Sequence, residues 1–441
     1  MSHNVVRNVI LVGILTLLVR SVSFVKEIIV ADQIGLSELL DTFYIALLIP
    51  GLISTVFMGA FKSVFIPNYV AETKRGNNIG SFQSATFLIT IGMSLFFMLI
   101  AVLLTDVYIE NVFKGHTANY YGLIKVQFYY MLPCIIIWGI SSIFNGLLTI
   151  DDEFKYSSVG MLFTPLTIIL FLVFFRDELG EIVLALGTLI GSLLRLFMLF
   201  IVALNRKVIH LKKPDFYSSN IKEMFRQIPA KVSSGLLTGL NNIVDQYFAA
   251  QLVIGSIAAL NYGIKIPMFI IGITTLALGK VLLPYFSKKA IEDKEKLFKE
   301  LQKIIKILIF SSAIVAIILI VISTPIISII FERNAFTSDD TVTVSKIQQM
   351  YLIQIPSYIT GIIMVRFLTS INYNNFMVLA AIISLVLNIV LNYILISLMG
   401  VYGLALATSI VSIVNSLILY FYIIYLKNKL FLNSNNSQHS T

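Results

Sequence analysis

The stretch of sequence that decides the fold is residues 20–74, which read RSVSFVKEIIVADQIGLSELLDTFYIALLIPGLISTVFMGAFKSVFIPNYVAETK. It holds two apolar segments joined by a short polar turn, yet Arg20, Lys26 and Glu27 lie inside the first segment. A charged side chain at the centre of a bilayer costs about 3 kcal/mol or more, so such residues usually face a bundle interior or a water-filled cavity. These charges are the first indication of function, because charges inside a membrane mark substrate and ion paths.

The composition of the whole chain is that of an integral membrane protein. Of its 441 residues, 58% are hydrophobic and 12% are charged, and the mean hydropathy is +0.91. A soluble protein of this composition has to expose large apolar areas, whereas a bilayer accepts them. Cys134 is the only cysteine, the four histidines are scattered, and no glycine-rich phosphate loop is present. We therefore expect no disulfide, no metal site and no cofactor.

Twelve apolar runs are long enough to cross a hydrocarbon layer of about 30 Å. The first run is not followed by a small-x-small cleavage site, so we interpret it as a spanning helix and not as a signal peptide. The sequence therefore predicts an all-α membrane protein with twelve transmembrane helices. Their approximate ranges are 5–31, 38–66, 84–108, 121–149, 157–175, 181–204, 226–251, 254–284, 302–327, 344–369, 376–398 and 401–426.

Lysine and arginine are distributed unequally between the two sides of these helices. With the N-terminus inside, the cytoplasmic loops hold the basic clusters at 205–226 and 287–306, whereas the opposite side holds only Lys114, Arg176 and Arg333. Cytoplasmic loops retain basic residues, so we predict that both termini are cytoplasmic. The net charge of +9 is explained in this way without a nucleic-acid partner. Residues 287–306 also alternate charged and apolar residues at helical spacing, which predicts a helix on the inner membrane surface.

Matching positions indicate that the chain is an internal duplication. The stretch YYMLPCIIIWGISSIFNGLLTIDDEF from Tyr129 resembles YLIQIPSYITGIIMVRFLTSINYNNF from Tyr351. Four prolines also have matching spacings, seventeen residues apart in the second helix and again in the eighth, namely Pro50, Pro67, Pro267 and Pro284. Because a unit of six helices returns the chain to the same side, both copies have the same orientation. We predict two parallel six-helix lobes, residues 1–212 and 213–441, around a central cavity.

Cations outnumber acids inside the predicted helices. Lysines near helix ends can extend to the headgroups and need no functional role; these are Lys62, Lys125, Lys231 and Lys280. Arg20, Lys265 and Arg366 lie deeper, and Lys265 precedes a proline in mid-helix, where a kink frees carbonyl groups and opens space. We predict that these three cations line the cavity. The acids inside the helices are Glu27, Asp41 and Asp245.

An ion pair within the first helix is the competing explanation for Arg20. Arg20 and Glu27 are seven residues apart and share a helical face, whereas Lys26 is expected to point elsewhere. A net positive interior remains even if this pair forms. Such a cavity favours an anion with several acceptor oxygens, such as a diphosphate, because charge-assisted hydrogen bonds are strongest where water is scarce.

Three stretches resemble a known family. VRSVSFVKEIIVADQIGLSELLDTFYIALLIPG, GAFKSVFIPNYVAE and, from Asn261, NYGIKIPMFIIGITTLALGKVLLPYFSK are similar to signature segments of the MurJ (MviN) lipid II flippases, which belong to the multidrug, oligosaccharidyl-lipid and polysaccharide exporter superfamily. The resemblance covers most of the chain, with its distinctive motifs in the first, second and eighth helices. It implies a flippase that moves a polyprenyl-diphosphate-linked glycan from the inner to the outer leaflet of the bacterial cell membrane by alternating access.

The resemblance also implies roles for particular residues. The family's cavity arginines correspond to Arg20, Lys26 and Lys265, its tenth-helix lysine to Arg366 and its second-helix aspartate to Asp41. Lysine keeps the charge but lacks the two-pronged guanidinium that suits phosphate. A paired-arginine position of the family is here Ser54 and Thr55, and the stretch before GAF is one residue short. These differences leave the cargo open between lipid II and a polysaccharide repeat unit.

Three other classes of protein remain as alternatives. A multidrug or cation antiporter of the same superfamily needs cavity acids, which Glu27, Asp41 and Asp245 supply, although the excess charge has the opposite sign. A membrane glycan polymerase is expected to carry catalytic groups in a sizeable outer loop, and every outer loop here is short. A channel suits duplicated lobes with proline-broken helices less well. Without a nucleotide motif, the energy has to come from an ion gradient or from the membrane potential.

Overall fold

The fold is α-helical throughout the part of the chain that the computed structural model describes, residues 3–74, 78–373 and 375–438. Only the backbone is described at residues 3–10, 62, 230, 234, 237, 238, 276, 277, 279–281, 294 and 431–438. The side chains of Lys62 and Lys280, two of the lysines predicted near helix ends, therefore lie outside the described residues. The whole of Arg75, a basic residue of the predicted cytoplasmic side, also lies outside them. In the described part, the β-structure is limited to an isolated bridge between Arg333 and Phe336.

The chain forms two compact units, and the first comprises Met1–Gly239 together with Arg333–Phe336. Its helices follow one another in the order of the predicted spans. They are α1 (His3–Ile34), α2 (Glu38–Leu52), a π-helix (Ile53–Met58), α3 (Gly59–Lys74), α4 (Ile79–Leu103), α5 (Thr105–Val112), α6 (Ala118–Met131), α7 (Pro133–Ile150), α8 (Phe154–Gly160), α9 (Phe163–Phe174), α10 (Arg176–Leu179), a 3-10 turn (Gly180–Ile182), α11 (Val183–Asn205) and most of α12 (Ser219–Ala249).

The second unit comprises Leu240–Glu332 and Thr337–Thr441. It holds the end of α12 and then α13 (Ser256–Gly263), α14 (Lys265–Glu292), α15 (Lys294–Val321), α16 (Ser323–Phe331), α17 (Ser338–Leu352), α18 (Ile355–Ser370), α19 (Asn375–Met399) and α20 (Val401–Gln438). The division into compact units falls inside α12. The boundary between residues 212 and 213 concerns the duplication of the sequence, and it stays a prediction.

Every predicted span overlaps a helix or a consecutive pair of helices. Within the described residues, nine spans are long and apolar enough to cross a membrane, and α17 with α18, which are bent by 41°, make a tenth. The helices α1 and α12 occupy the two remaining predicted positions. An all-α membrane fold is thereby confirmed, and the number of twelve is consistent with it.

The prediction of a separate surface helix at residues 287–306 is wrong. The helix α14 continues to Glu292, and α15 begins directly after Asp293, whose side chain accepts a 2.9 Å hydrogen bond from the backbone N–H of Lys296. The apolar residues that suggested a membrane surface, such as Leu297 and Leu301, are fully buried in the core of the second unit. The amphipathic pattern therefore reflects packing between helices and not contact with lipid headgroups.

The order of broken helices repeats along the chain. Pro133 begins α7 after the break that follows α6, and Pro356 lies in the first turn of α18 after the break that follows α17. Each pair ends in a turn with a positive φ, 60° at Asp152 and 61° at Asn372. In both turns the next N–H donates to the carbonyl group five residues earlier, at 2.8 and 2.9 Å, which is a Schellman cap. The same cap at equivalent places supports the duplication.

A residue without a side chain lets α9 and α11 approach each other closely in the first unit. A Cβ atom at Gly191 would lie 2.5 Å from the Cα of Thr164 and 2.3 Å from the hydroxyl oxygen of Thr167. Small residues are the usual means of close helix contact in membranes, because lipid supplies no hydrophobic force between helices. The contact therefore depends on glycine at this position.

We expect Gly191→Ala to lower the stability of the protein by about 2 kcal/mol, because neither backbone can move without disturbing its neighbours. Gly92→Ala is the matched control, since a Cβ atom at Gly92 meets nothing within 4 Å and alanine is the better helix former. The measurement is thermal unfolding of both variants in the same detergent. Equal melting temperatures for the two variants would contradict the close contact.

Candidate functional site

The helix α1 carries the first three candidate residues. The ammonium group of Lys26 lies 2.7 Å from a carboxylate oxygen of Glu27, and the side chains are 19% and 9% exposed. The expectation that Lys26 points away from Glu27 is therefore wrong. Arg20 and Glu27 are about 10 Å apart along the helix axis, whereas the long lysine side chain reaches its neighbour. Within the described residues, half-buried Arg20 has no ion pair or hydrogen bond to its side chain.

The acidic residue Asp41 is buried in the first turn of α2 and is 2% exposed. This turn follows Ser37, whose side chain accepts a hydrogen bond from the N–H of Leu40. A carboxylate in the first helical turn is stabilised by the positive end of the helix dipole. Asp41 is thus placed to stabilise the start of α2, which fits a supporting role.

Ser54 and Thr55 lie in the π-helix that joins α2 to α3. Pro50 has no N–H to donate within α2, and the chain widens to π geometry three residues later. The side chain of Ser54 is half-buried and that of Thr55 is exposed. Single-turn π-helices often occur at functional sites, so these two hydroxyl groups remain candidates. The apparent one-residue difference from the family pattern falls in this irregular segment.

The most elaborate polar arrangement among the candidates surrounds Asp245 in the second unit. The side-chain amides of Asn388 and Asn392 donate to one of its carboxylate oxygens at 3.0 and 2.7 Å. The hydroxyl oxygen of Thr408 lies 3.4 Å from the other carboxylate oxygen. We call these four residues the Asp245 cluster. It joins α12, α19 and α20.

A small cavity of about 60 Å³ lies beside this cluster. Asp245 lines it together with polar side chains that include Asn242, Gln246 and Tyr351. The volume is enough for a water molecule or a small ion. In the described part of the chain, the amide oxygen of Asn392 is buried without a hydrogen-bond partner. One carboxylate surrounded by neutral amide and hydroxyl groups has the composition of a site for a proton or a monovalent cation.

Lys265 and Arg366 are the cationic candidates of the second unit. Lys265 is the first residue of α14, directly after the break at Ile264, so the predicted interruption of the eighth span is confirmed. Its side chain is half-buried. Arg366 is exposed on α18, while its neighbours Phe367 and Leu368 are fully buried in the core. No carboxylate within the described residues pairs with Arg366.

Asn388, Asn392 and Thr408 are not among the residues predicted from the sequence. A usable signal was present, because two asparagines four residues apart in a strongly apolar helix share one face. Polar residues in such a helix usually face a partner inside the bundle. Their partner could not be found by spacing, since Asp245 is 143 residues away from Asn388 in the chain.

The chain is similar to a family of known proteins over nearly its whole length. A family model described as lipid II flippase MurJ matches residues 30–435. The probable lipid II flippase MurJ of Buchnera aphidicola subsp. Schizaphis graminum is 27% identical over 431 residues, which cover 95% of this chain and 83% of that protein. The probable lipid II flippase MurJ of Aquifex aeolicus is 28% identical over 349 residues, covering 78% and 68%.

Solved structures show the same fold. A lipid II flippase MurJ in an inward closed conformation has a TM-score of 0.82 at 26% identity, and the match covers 96% of this chain and 90% of that one. An inward-facing multidrug resistance transporter of the MATE family, in the MOP superfamily, has a TM-score of 0.77 at 12% identity and covers 96% and 98%. At that low identity the second likeness concerns the fold alone.

Proposed function

We propose, from the premise that this chain belongs to the MurJ family of lipid II flippases, that it moves lipid II from the inner to the outer leaflet of a bacterial cell membrane. The observation that carries the proposal is the family match over residues 30–435. The protein acts as a transporter and not as an enzyme, because the cargo itself is chemically unchanged when it is released. The transfer would occur by alternating access, in which the residues that bind the cargo face first one side of the membrane and then the other.

The cationic side chains are proposed to bind the diphosphate of the lipid. Arg20 and Arg366 support this role, since neither has a carboxylate partner among the described residues. Lys265 adds a cation at a broken helix, where freed backbone groups can also reach a ligand. Lys26 is partly neutralised by Glu27, so we assign it a weaker contact. Diphosphate oxygens accept several charge-assisted hydrogen bonds at once, and the guanidinium groups of Arg20 and Arg366 can each donate two of them.

The orientation with both termini in the cytoplasm is part of the proposal. Its support is the concentration of lysine and arginine in the loops that the predicted topology places inside. Arg206 at the end of α11 pairs with Glu153 in the turn after α7. Both residues belong to the side that we assign to the cytoplasm.

The Asp245 cluster is proposed to couple transport to an ion gradient. A half-buried carboxylate with neutral neighbours gains stability when a proton or a monovalent cation neutralises it. Side chains of α12, α19 and α20 meet at this carboxylate, so its occupancy affects how three spans pack. Movement of one charge through a membrane potential of 100 mV supplies about 2.3 kcal/mol.

Reconstitution with defined substrates tests the proposed function. Purified protein in vesicles is supplied with fluorescent lipid II, with an undecaprenyl-diphosphate-linked polysaccharide repeat unit, or with a cationic dye. We expect protein-dependent movement of lipid II to the outer leaflet, measured by its exposure to a reagent that does not cross the membrane. Movement of the repeat unit alone would assign a different glycan, and movement of the dye alone would favour the multidrug antiporter that shares the fold.

A further inference from the structure

A large apolar cavity opens on the first unit between α4, α7 and α11. Its volume is about 670 Å³, which is in the range of ligand sites. Leu88 of α4, Phe144 of α7 and Phe197 of α11 contribute to its wall. Leu88 and Phe197 are 50% and 62% exposed, so the cavity is open toward the surroundings of the helices. Because these helices are membrane spans, the surroundings are lipid chains.

One end of the cavity is closed by the connector between α11 and α12, and this connector is firmly held. Fully buried Gln83 bonds to it twice, donating to the carbonyl of Val208 at 2.8 Å and accepting from the N–H of His210 at 2.7 Å. Ser84 accepts from the N–H of Lys212 at 3.1 Å, and Ser81 donates to a neighbouring carbonyl at 2.7 Å.

The start of α4 also leaves no space between helix and connector. A Cβ atom at Gly80 would lie 2.9 Å from the carbonyl oxygen of His210. A buried polar side chain that makes no hydrogen bond costs on the order of several kcal/mol. The hydrogen bonds of Gln83, Ser84 and Ser81 avoid this cost and hold the connector in place. The connector is therefore a built part of the cavity wall.

The connector brings positive charge to the mouth of an otherwise apolar cavity. Ile209, Leu211 and Lys212 all line it, and Lys213 follows directly. The exposed residues Leu211, Phe216 and Tyr217 of the same segment are apolar or aromatic, which is typical of a segment at headgroup level. An apolar groove that ends in lysines is complementary to an acyl chain that ends in a negatively charged headgroup.

We propose that this cavity binds an anionic phospholipid, with an acyl chain between α4 and α11 and its phosphate beside Lys212. The occupant is a structural lipid of the leaflet that contains the connector, and not the transported cargo. The inference goes beyond the proposed function, because it concerns a different surface and needs no transport. Failure of one therefore leaves the other untouched.

The single tryptophan of the chain is a natural reporter of this cavity. Trp138 of α7 donates a 2.8 Å hydrogen bond to Ser192 of α11, and the next residue, Leu193, lines the cavity. Bromine atoms on a lipid chain quench tryptophan fluorescence at short range. Full-length protein is reconstituted in phosphatidylcholine vesicles, and brominated phosphatidylglycerol is then compared with brominated phosphatidylcholine at equal mole fractions.

We expect brominated phosphatidylglycerol to quench Trp138 at lower mole fractions than brominated phosphatidylcholine does. Lys212→Glu is expected to weaken this preference about fivefold or more, as for the loss of one lysine at a membrane surface. Lys222→Glu is the matched control, because Lys222 is exposed at the start of α12 and does not line the cavity. The control should keep the preference of the unmodified protein.

A second pair of variants tests the cavity without changing the charge. Leu88→Phe places a larger side chain in the cavity and should reduce quenching by both brominated lipids. Leu95→Phe, at an exposed position of the same helix, should not reduce it. Equal quenching by the two lipids in the unmodified protein would overturn the proposal and indicate ordinary surrounding lipid. Displacement of the quencher by a polyprenyl phosphate, but not by unbrominated phosphatidylglycerol, would overturn it in favour of the cargo's tail.

Discussion

Arg20→Ala is expected to reduce lipid II transport about a hundredfold while the protein still folds and inserts. The side chain is half-buried in α1 and has no carboxylate partner in the described residues, so its removal leaves no buried acid unpaired. If Arg20 contacts the diphosphate, the loss of charge-assisted hydrogen bonds in a site with little water amounts to about 3 kcal/mol. That free energy corresponds to roughly two orders of magnitude in rate.

A conservative substitution distinguishes a direct contact between Arg20 and the diphosphate from a general electrostatic attraction. Arg20→Lys keeps the charge but loses the planar pair of donors, and we expect it to retain about a tenth of the activity. Lys222→Ala removes a positive charge from an exposed position and should change the rate little. The readout is the initial rate of lipid II exposure in vesicles, with the amount of inserted protein measured in the same samples. Full activity of Arg20→Ala would remove this residue from the site.

Much of the fold was accessible from the sequence because a bilayer imposes strong constraints on length and polarity. Runs of apolar residues predicted where helices lie, and each corresponds to a helix or a broken helix. The proline that follows Lys265 also predicted a break, which lies at Ile264. The failure at residues 287–306 has a clear reason. An amphipathic helix has the same pattern whether its apolar face meets lipid headgroups or another helix, and here Leu297 packs in a protein core.

The candidate site was less accessible from the sequence, because contacts between distant helices leave no local pattern. Helical spacing alone predicted Arg20 as the ion-pair partner of Glu27. The actual partner is Lys26, because its long side chain reaches the neighbouring carboxylate. The partners of Asp245 come from helices far along the chain. The π-helix at Ile53–Met58 also has no signature in composition. The sequence therefore identified the charged residues inside the helices, whereas their contact partners were found only from the three-dimensional structure.

Asp245→Asn is expected to abolish the response of transport to an ion gradient and to lower the rate about tenfold or more. Asparagine has nearly the same shape but no charge, so the cluster with Asn388, Asn392 and Thr408 loses the one group that attracts a cation or a proton. The variant should fold, because a neutral amide is easier to bury than a carboxylate. With the cluster uncharged, a gradient has nothing to act on at this position.

The experiment compares three gradients in vesicles that contain lipid II, namely sodium, potassium and protons. One gradient is expected to accelerate transport by the unmodified protein, and the same gradient should have no effect on Asp245→Asn. Ser397→Ala is the matched control, since Ser397 is an exposed polar residue of α19 outside the Asp245 cluster. If Asp245→Asn keeps the full response, the coupling group lies elsewhere. Because Arg20→Ala removes a substrate contact and not the coupling charge, its remaining transport should still respond to the gradient, which separates the two roles.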